Sequence, residues 1–217
     1  MNQHEISKIF LPGDIYFDLG AHKGDKADAF IKKGYKCILV EPQPDLLYIL
    51  NEKYINNPMV EIVPMGVGEK FDIIEMSISS KDPVLSTFSD EWKRGRFEKT
   101  VWDKRVDVQI TTIDSLIKKY GHPRYIKIDV EGYEFQALKG LTNKTGIISF
   151  EFTAEYVKNA INCILFLDGL GYKYFNISLG EQFNFALENF VNKQEVINIL
   201  ISNAAEHNLL WGDVYAN

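Results

Sequence analysis

One stretch near the start of the chain constrains the fold more than any other. The sequence IYFDLG (15–20) is an apolar run that predicts a buried strand, and residues 24–33 have the pattern of a helix. A strand that leads directly into a helix is the first half of a βαβ unit, which builds parallel sheets. The stretch therefore predicts an α/β fold, with an acid and a glycine turn between the first strand and the first helix.

The same alternation continues along most of the chain. Further strands are predicted at 36–41, 59–64, 124–130, 146–152 and 172–177, with helices at 44–54, 133–139, 155–169 and 192–206. A last apolar segment at 211–216 is expected to close the sheet at an edge. This succession is typical of a parallel sheet with helices between its strands.

The alternation is interrupted at about residues 70–113. A strand is predicted at 71–79, and residues 81–105 are polar, aromatic and irregular before a further extended piece at 106–113. The sequence shows no internal repeat and no flexible linker. The simplest expectation is one domain over residues 1–217, with an insertion that forms a lid.

Composition excludes several classes of protein. The net charge of −6 and the pI near 5.3 argue against a general nucleic-acid binder. No run reaches the roughly 18 apolar residues of a membrane span, and the first residues lack the apolar segment of a signal peptide. Cys37 and Cys163 lie in apolar runs without a metal-binding spacing, so we expect reduced core residues in a cytoplasmic protein.

The glycine turn indicates a nucleoside site. In doubly wound sheets, ligands bind at the carboxyl ends of the strands, close to helix N-termini. Gly20 and Gly24 do not have the spacing of the dinucleotide fingerprint, and Asp18 would repel a pyrophosphate. S-adenosylmethionine, which carries a sulfonium and no phosphate, suits such a turn. Glu41 ends the second strand, 21 residues after Gly20, and is expected to accept hydrogen bonds from ribose hydroxyls.

Several other residues join this prediction because they border the turn or end the neighbouring strands. The predicted cofactor pocket comprises Asp18, Gly20, Ala21, His22, Gly24, Glu41, Gly66 and Asp129.

Two further stretches carry a resemblance to a known family. TTIDSLIKKYGHPRYIKIDVEGYEFQALKGL (111–141) and GIISFEF (146–152), together with FDLGAHKGDKADAF and ILVEPQPDLL, resemble the FkbM family of S-adenosylmethionine-dependent methyltransferases. The most specific element is KIDVEGYE (127–134). The family often has a small polar residue such as Asn where His22 stands, and residues 81–105 match no family pattern, which leaves the acceptor more open than the cofactor.

The resemblance implies a class I, Rossmann-like methyltransferase fold. This fold has a seven-stranded, mostly parallel sheet, helices on both faces and an antiparallel last strand. The resemblance also implies O-methylation of a hydroxyl group, often on a sugar or on a polyketide-type product.

The sequence KIDVEG places charges in the expected central strand. Lys127, Asp129 and Glu131 would project to one side of it. Such charges need partners, because an isolated buried ion is very costly. Since the two neighbouring strands carry Asp18 and Glu151 near their ends, we expect all five side chains to meet at the carboxyl edge of the sheet. A sulfonium or a metal ion would help to balance four acids and one lysine.

Proton removal should assist methyl transfer to an alcohol, which is a poor nucleophile. Asp129 and Glu131 are the first candidates for the base and His22 is the second. Lys127 either takes part in catalysis or forms a buried salt bridge that only fixes the site. Mg²⁺ between Asp129 and Glu151 is an alternative, but the sequence offers no evident third ligand, so no metal is predicted.

The insertion is expected to cover the acceptor. Residues 91–105 carry a net charge of +3 and three aromatic residues. Aromatic faces stack on sugar rings, and arginines bind phosphate or carboxylate. Arg94 and Arg96 would then hold a sugar acceptor in a phosphorylated or nucleotide-linked form, with Ser86, Thr87 and Glu151 nearby. The alternative is a solvated loop with a few core aromatics.

The predicted function is O-methylation of a small, sugar-type acceptor, without nucleic acid as a partner and with a homo-oligomer left open. One alternative is N-methylation of nucleic acid or protein. The N/D-P-P-Y/F pattern of adenine-modifying enzymes is absent, because DVEGY stands after the fourth parallel strand. The other alternative is a nucleoside-binding module without catalysis.

Overall fold

The structure is a computed structural model that describes residues 11–180 and 184–217. Within these residues the strands are β1 (Ile15–Leu19), β2 (Lys36–Val40), β3 (Val60–Val63), β4 (Gly66–Val67), β5 (Asp72–Ile78), β6 (Lys104–Thr111), β7 (Tyr125–Ile128), β8 (Ile147–Thr153), β9 (Phe175–Leu179) and β10 (Trp211–Ala216). The α-helices are α1 (Asp25–Ile31), α2 (Pro44–Lys53), α3 (Ile113–Tyr120), α4 (Glu134–Leu138), α5 (Val157–Gly169) and α6 (Lys193–Glu206).

Seven of these strands form one sheet in the order β3-β2-β1-β7-β8-β10-β9. Strand β10 runs antiparallel to both of its neighbours, and the other pairings are parallel. The predicted fold class is therefore confirmed. The predicted edge position of residues 211–216 is wrong, because β10 lies between β8 and β9 and hydrogen-bonds to both. Gly212 suits this position, since a Cβ there would meet the carbonyl oxygen of Ser178 at 2.0 Å.

Helices cover both faces of the sheet, as side-chain alternation along the strands requires. One face of β1 and β2, with Phe17 and Ile38, packs in a core that also contains buried residues of α3, α4, α5 and α6. The opposite face, with Tyr16 and Cys37, packs with Ala27 of α1 and with α2. Cys37 and Cys163 are both free thiols and fully buried, as predicted.

The interruption at residues 70–113 contributes most of a second, three-stranded sheet in the order β4-β6-β5. Residues 79–103 connect β5 to β6 and contain two short 3₁₀ turns, Pro83–Leu85 and Gly95–Phe97. A backbone bridge between Ser77 and Thr87 ties this connection back to β5. The connection is thus more ordered than the solvated loop considered from the sequence, and it lies beside the carboxyl edge of the large sheet.

No helix within residues 11–180 and 184–217 is long and apolar enough to cross a membrane.

Candidate active site

A cavity of about 1270 Å³ runs from the carboxyl ends of the central strands along one face of the sheet, where Tyr16, Tyr125 and Tyr215 also line it. We name two parts of its wall by their residues: the glycine-turn side (residues 18–24, Glu41 and Gly66) and the insertion side (residues 84–97, 129–132 and 151–153). Pockets for one small molecule usually measure about 300–1,000 Å³. The cavity therefore has room for two ligands placed next to each other.

The glycine turn follows β1 and packs tightly against the backbone. The N–H groups of Gly20 and Ala21 donate to the carbonyl of Val40 at 2.9 and 3.1 Å. Gly20 has a left-handed φ of 87°, and a Cβ at this position would meet the carbonyl oxygen of Asp129 at 1.8 Å. Only glycine fits this approach between the first and fourth parallel strands of the sheet. The turn is consequently fixed by the strands on both sides of it.

Gly24 has a structural role that differs from its predicted one. It does not line the cavity, although it belongs to the predicted cofactor set. Its φ is 74°, and a Cβ would collide with the ring of Tyr54, whose hydroxyl donates a 2.6 Å hydrogen bond to the Gly24 carbonyl. Gly24 therefore fixes the start of α1 against α2.

Asp18 and Glu41 present buried carboxylates to the cavity. Burial raises the pKa of Asp18 to about 6, against the effect of Lys127, Lys26 and the nearby Tyr16 hydroxyl. Its Oδ2 is buried away from the cavity and makes no well-formed hydrogen bond within the described residues. Burial also raises the pKa of Glu41 to about 7, against the effect of two backbone donors. Buried carboxylates that line a cavity are suited to a ligand that donates hydrogen bonds or carries positive charge.

Glu41 is held by two backbone N–H groups that each occupy one of its oxygens. His22 N–H donates to Oε2 and Gln43 N–H donates to Oε1, both at 2.9 Å. Each oxygen keeps a further lone pair for a ligand hydroxyl. His22 lines the same wall with a left-handed φ of 50°, and burial lowers the pKa of its half-buried imidazole. Gly66 completes this side of the cavity, packed against Ile110.

Lys127 forms a buried ion-pair network. Its Nζ lies 2.8 Å from Oδ2 of Asp129 and 3.4 Å from Oδ1 of Asp213, which comes from β10. Lys26 of α1 adds a second cation to Asp129 at 3.2 Å. Despite the opposing effect of burial, the two lysines lower the pKa of Asp129 to about 2. Asp129 is therefore a weak base, and Lys127 is occupied by its two carboxylate partners.

Glu131 and Glu151 differ from Asp129 in their electrostatic surroundings. Within the described residues, no hydrogen bond or ion pair with a cation involves either carboxylate. Burial and nearby carboxylates, including Glu151 beside Glu131, raise both pKa values well above the usual carboxyl range. Together with Asp129 they place three oxygens within 4.8 Å of one another. Acidic groups this close are common in proteins without a metal, and none is assigned here.

The loop after β7 departs from the strand alternation expected at this position. Strand β7 ends at Ile128, and Glu131 and Gly132 adopt left-handed φ values of 53° and 85°. Glu134 fixes this loop, because its Oε1 accepts the N–H groups of Val130 and Gly132 at 3.2 and 3.1 Å. The direction of the Glu131 side chain is therefore set by this turn and not by the alternation of side chains along β7.

The residues predicted to contact the acceptor lie in different environments. Ser86 is buried and lines the cavity. Thr87 is also buried, but its hydroxyl donates to the backbone carbonyl of Glu131 at 2.6 Å. Arg94 is exposed and does not line the cavity. The side chain of Arg96 lies outside the described part of the structure. The arginine contacts remain predictions.

Many cavity residues were not among the predicted site residues, and three of them have contacts that bear on the site. Lys26 and Asp213 pair with Asp129 and Lys127, and neither the helix pattern nor the β10 segment indicates this long-range pairing. Trp92 is buried on the insertion side, where it packs against Gly132 and stacks on Phe97. Its Nε1 has no hydrogen-bond partner within the described residues. The aromatic residues within 91–105 were the sequence feature that indicated an aromatic surface on the insertion side.

Comparisons with known proteins identify the family of the chain. Residues 18–174 match the family model described as the methyltransferase FkbM domain. The chain is similar to the crystal structure of methyltransferase FkbM from Methylobacillus flagellatus, with 15% identity and a TM-score of 0.55. That match covers 96% of this chain and 44% of the other, so this chain spans less than half the length of that one.

A second similar structure is fibrillarin from Aeropyrum pernix with bound S-adenosyl-L-methionine. The identity is 9%, the TM-score is 0.49, and the match covers 95% of this chain and 67% of that chain. The search of curated proteins found no significant match. The family model matches well over half of the 217 residues, from the first strand-end acid to the segment before β9. The chain therefore belongs to the FkbM family of S-adenosylmethionine-dependent methyltransferases.

Proposed function

We propose that this chain transfers a methyl group to a hydroxyl of a small, sugar-containing acceptor. The single observation that carries the proposal is the Glu131–Glu151 pair, two neighbouring carboxylates that have no ion-pair partner within the described residues and lie on the insertion side of a cavity whose other side suits a nucleoside. A carboxylate with a raised pKa is a better proton acceptor than an ordinary one. Such a group is what an alcohol requires as its oxygen becomes a nucleophile.

The glycine-turn side fits S-adenosylmethionine, which supplies the methyl group as part of a sulfonium cation. Glu41 is proposed to accept hydrogen bonds from the ribose hydroxyls, with its position fixed by His22 and Gln43. The carboxylate of Asp18, which lines this side of the cavity, is proposed to attract the positively charged end of the same molecule. The close packing of Gly20 on Asp129 allows a ligand to approach the backbone at this point.

Among the predicted bases, the geometry favours Glu131. Asp129 is held by two lysines and its pKa is lowered, so it accepts a proton poorly. We propose that Asp129 and Lys127 instead fix the charge distribution around the reacting groups. Glu151 raises the proton affinity of Glu131 through their mutual repulsion, and the two carboxyls share protons as a pair. His22 remains the second candidate.

The acceptor is proposed to bind against the aromatic wall of the insertion side. Trp92 and Phe97 both line the cavity, and their rings can stack on a sugar. Lys26 and Lys127 already pair with carboxylates. Lys23 and Lys33 also line the cavity and form no ion pair within the described residues, so the acceptor panel includes both uncharged and anionic sugars.

Methyl transfer to a defined panel tests this function. The panel would contain methyl glycosides, nucleotide sugars and the corresponding amino sugars, with isotope-labelled S-adenosylmethionine as donor and products identified by mass spectrometry and NMR. We expect a methyl ether on a glycoside, and its loss in Glu131→Gln. Calorimetry with the donor alone establishes that the variant still binds it. Absence of product from every hydroxyl acceptor, despite donor binding, would refute the proposal.

N-methylation is the second candidate, because carboxylates beside aromatic rings also suit an amine. Glu131 and Glu151 would then bind the ammonium form of the acceptor, and Trp92 would contact its alkyl part. One of the two carboxylates would take a proton from the ammonium group, leaving the free amine to accept the methyl group. Methylation confined to the amino sugars, or to an amine in a peptide added to the panel, would favour this candidate. The position of the new methyl group in the product therefore separates the two.

A further inference from the structure

The insertion fixes the loop that carries Glu131 through one buried hydroxyl. Thr87 is fully buried, and its Oγ1 donates a 2.6 Å hydrogen bond to the Glu131 carbonyl. The same oxygen accepts a 2.8 Å hydrogen bond from the N–H of Ser89. Thr87 is itself immobilised, because its N–H and carbonyl form hydrogen bonds of 3.0 and 2.9 Å with Ser77 of β5. The hydroxyl thus connects the three-stranded sheet to the loop after β7.

Glu131 requires such support because of its backbone conformation. A left-handed φ of 53° is uncommon for a residue other than glycine, and it persists only where the surroundings enforce it. Its carboxylate forms no hydrogen bond within the described residues. The backbone of Glu131 therefore decides where the carboxylate points, and the carbonyl of that backbone is the group that Thr87 holds.

The insertion also fixes the next residue. Gly132 has a φ of 85°, and a Cβ there would meet the ring of Trp92 at 2.8 Å. From the opposite direction, Glu134 at the start of α4 binds the N–H groups of Val130 and Gly132. The loop is therefore clamped between α4 and the insertion. Of these contacts, only the hydrogen bond from Thr87 reaches Glu131 itself.

We propose that Thr87 is a positioning residue, whose hydroxyl holds Glu131 in the left-handed conformation that directs its carboxylate towards Glu151 and Asp129. The inference rests on the proposed role of Glu131 as the base. It replaces the predicted acceptor contact of Thr87, since the hydroxyl already has a donor and an acceptor partner. Placement matters because a base must lie within hydrogen-bond reach of the proton, and a displacement of about 1 Å can cost a hundredfold in rate.

Crystal structures give a readout that needs no acceptor. Thr87→Val removes the hydroxyl and keeps the side-chain shape, and Thr87→Ser keeps the hydroxyl. We expect the Glu131 carboxylate to move by about 1 Å or more in Thr87→Val and to stay in place in Thr87→Ser. Thr87→Ala breaks the same bond and replaces the valine variant if that variant fails to fold. A Glu131 carboxylate that stays in place without the hydroxyl would overturn the proposal.

Kinetics with an acceptor from the panel give the second readout. We expect kcat to fall by about tenfold or more in Thr87→Val, with donor affinity unchanged within about twofold and near-complete recovery in Thr87→Ser. Thr112→Val is the matched control, because Thr112 is a buried threonine that caps α3 by accepting the Ser115 N–H at 3.1 Å. It should lower thermal stability without lowering kcat.

The crystal structures and the kinetics together distinguish a failure of the Thr87 proposal from a failure of the proposed function. If Thr112→Val loses as much activity as Thr87→Val, general destabilisation explains the effect and the positioning role is overturned. If the wild-type chain methylates no member of the panel, the proposed acceptor class fails. The crystal structures of the Thr87 variants still decide whether the hydroxyl positions Glu131.

Discussion

The two sides of the cavity are built in different ways. The glycine-turn side comes largely from consecutive residues, because Asp18, Gly20 and His22 lie within one strand-turn-helix unit and Glu41 ends the next strand. The insertion side combines a connection between β5 and β6 with the ends of β7 and β8. Local sequence therefore defines one side, and long-range packing defines the other.

The electrostatics of the two sides differ for the same reason. Glu41 receives backbone N–H groups from its own turn and from the glycine turn. Glu131 and Glu151 are brought together by neighbouring strands, with no such donors in the described residues. Backbone donors suit a carboxylate that only binds, whereas an uncompensated pair suits proton transfer. The contrast indicates that binding of the donor and reaction of the acceptor can be impaired separately.

Glu131→Gln should have the largest effect, a loss of kcat with little change in donor affinity. It should therefore distinguish the insertion side of the cavity from the glycine-turn side most clearly. Glutamine keeps the size of the side chain but cannot accept the acceptor proton. General bases typically contribute about 10²–10⁴ in rate, and we expect kcat to fall by a factor in this range. Calorimetry should show donor affinity within about twofold of wild type. Retention of most of the activity would remove Glu131 from its proposed role.

Glu41→Ala should have the next largest effect, on the glycine-turn side alone. It removes two proposed hydrogen bonds to the ribose, each to a charged group. Each such bond is worth about 1.5–3 kcal/mol, or about 10- to 100-fold in affinity, so we expect donor affinity to fall by at least the amount expected for one of them. With saturating donor, kcat should change little. A variant that bound the donor normally would contradict the placement of the ribose.

Trp92→Phe should have a smaller effect, confined to the acceptor. Phenylalanine keeps an aromatic ring against Gly132 but offers a smaller surface for stacking. We expect the acceptor KM to rise by about three- to tenfold, as the loss of part of an aromatic contact implies. Donor affinity measured by calorimetry should not change. An unchanged acceptor KM would place the acceptor elsewhere on the insertion side.

Glu151→Gln should produce the smallest effect, on how stability depends on pH. The folded pKa of Glu151 is raised, so the folded state keeps a proton that the unfolded state releases above about pH 4.3. The free energy of unfolding therefore falls as pH rises through this interval. The glutamine variant lacks this loss of stability. The Tm of the variant minus the Tm of the wild type should therefore be larger at about pH 8 than at about pH 4.

The same variant should change the pH dependence of the rate. Without the charge of Glu151, the pKa of Glu131 falls, so the acidic limb of the kcat profile should move to lower pH. An acidic limb at the wild-type position would show that the two carboxyls do not interact as the structure indicates. Thermal melts and rate profiles over a common pH range measure both effects.

Much of the sheet was predictable because each strand carries its own signal. Apolar runs identified β1, β2, β3, β7, β8 and β9, and the strand-end acids marked the ligand edge. The position of β10 was not predictable, because hydrogen bonding to both β8 and β9 leaves no local pattern. Lys127, Asp129 and Glu131 of KIDVEG were expected to project to one side of the strand. The left-handed backbone conformation at Glu131 ends the strand alternation before this residue.

The sequence by itself determined the α/β fold and the acids at the strand ends, because strand periodicity, glycine turns and strand-end positions are properties of neighbouring residues. Only the tertiary structure decided what each acid does. Asp129 pairs with lysines from β7 and α1, whereas Glu131 and Glu151 lie close together with no ion pair in the described part of the chain. Charge compensation depends on contacts between residues far apart in the chain, and it sets which carboxylate can accept a proton.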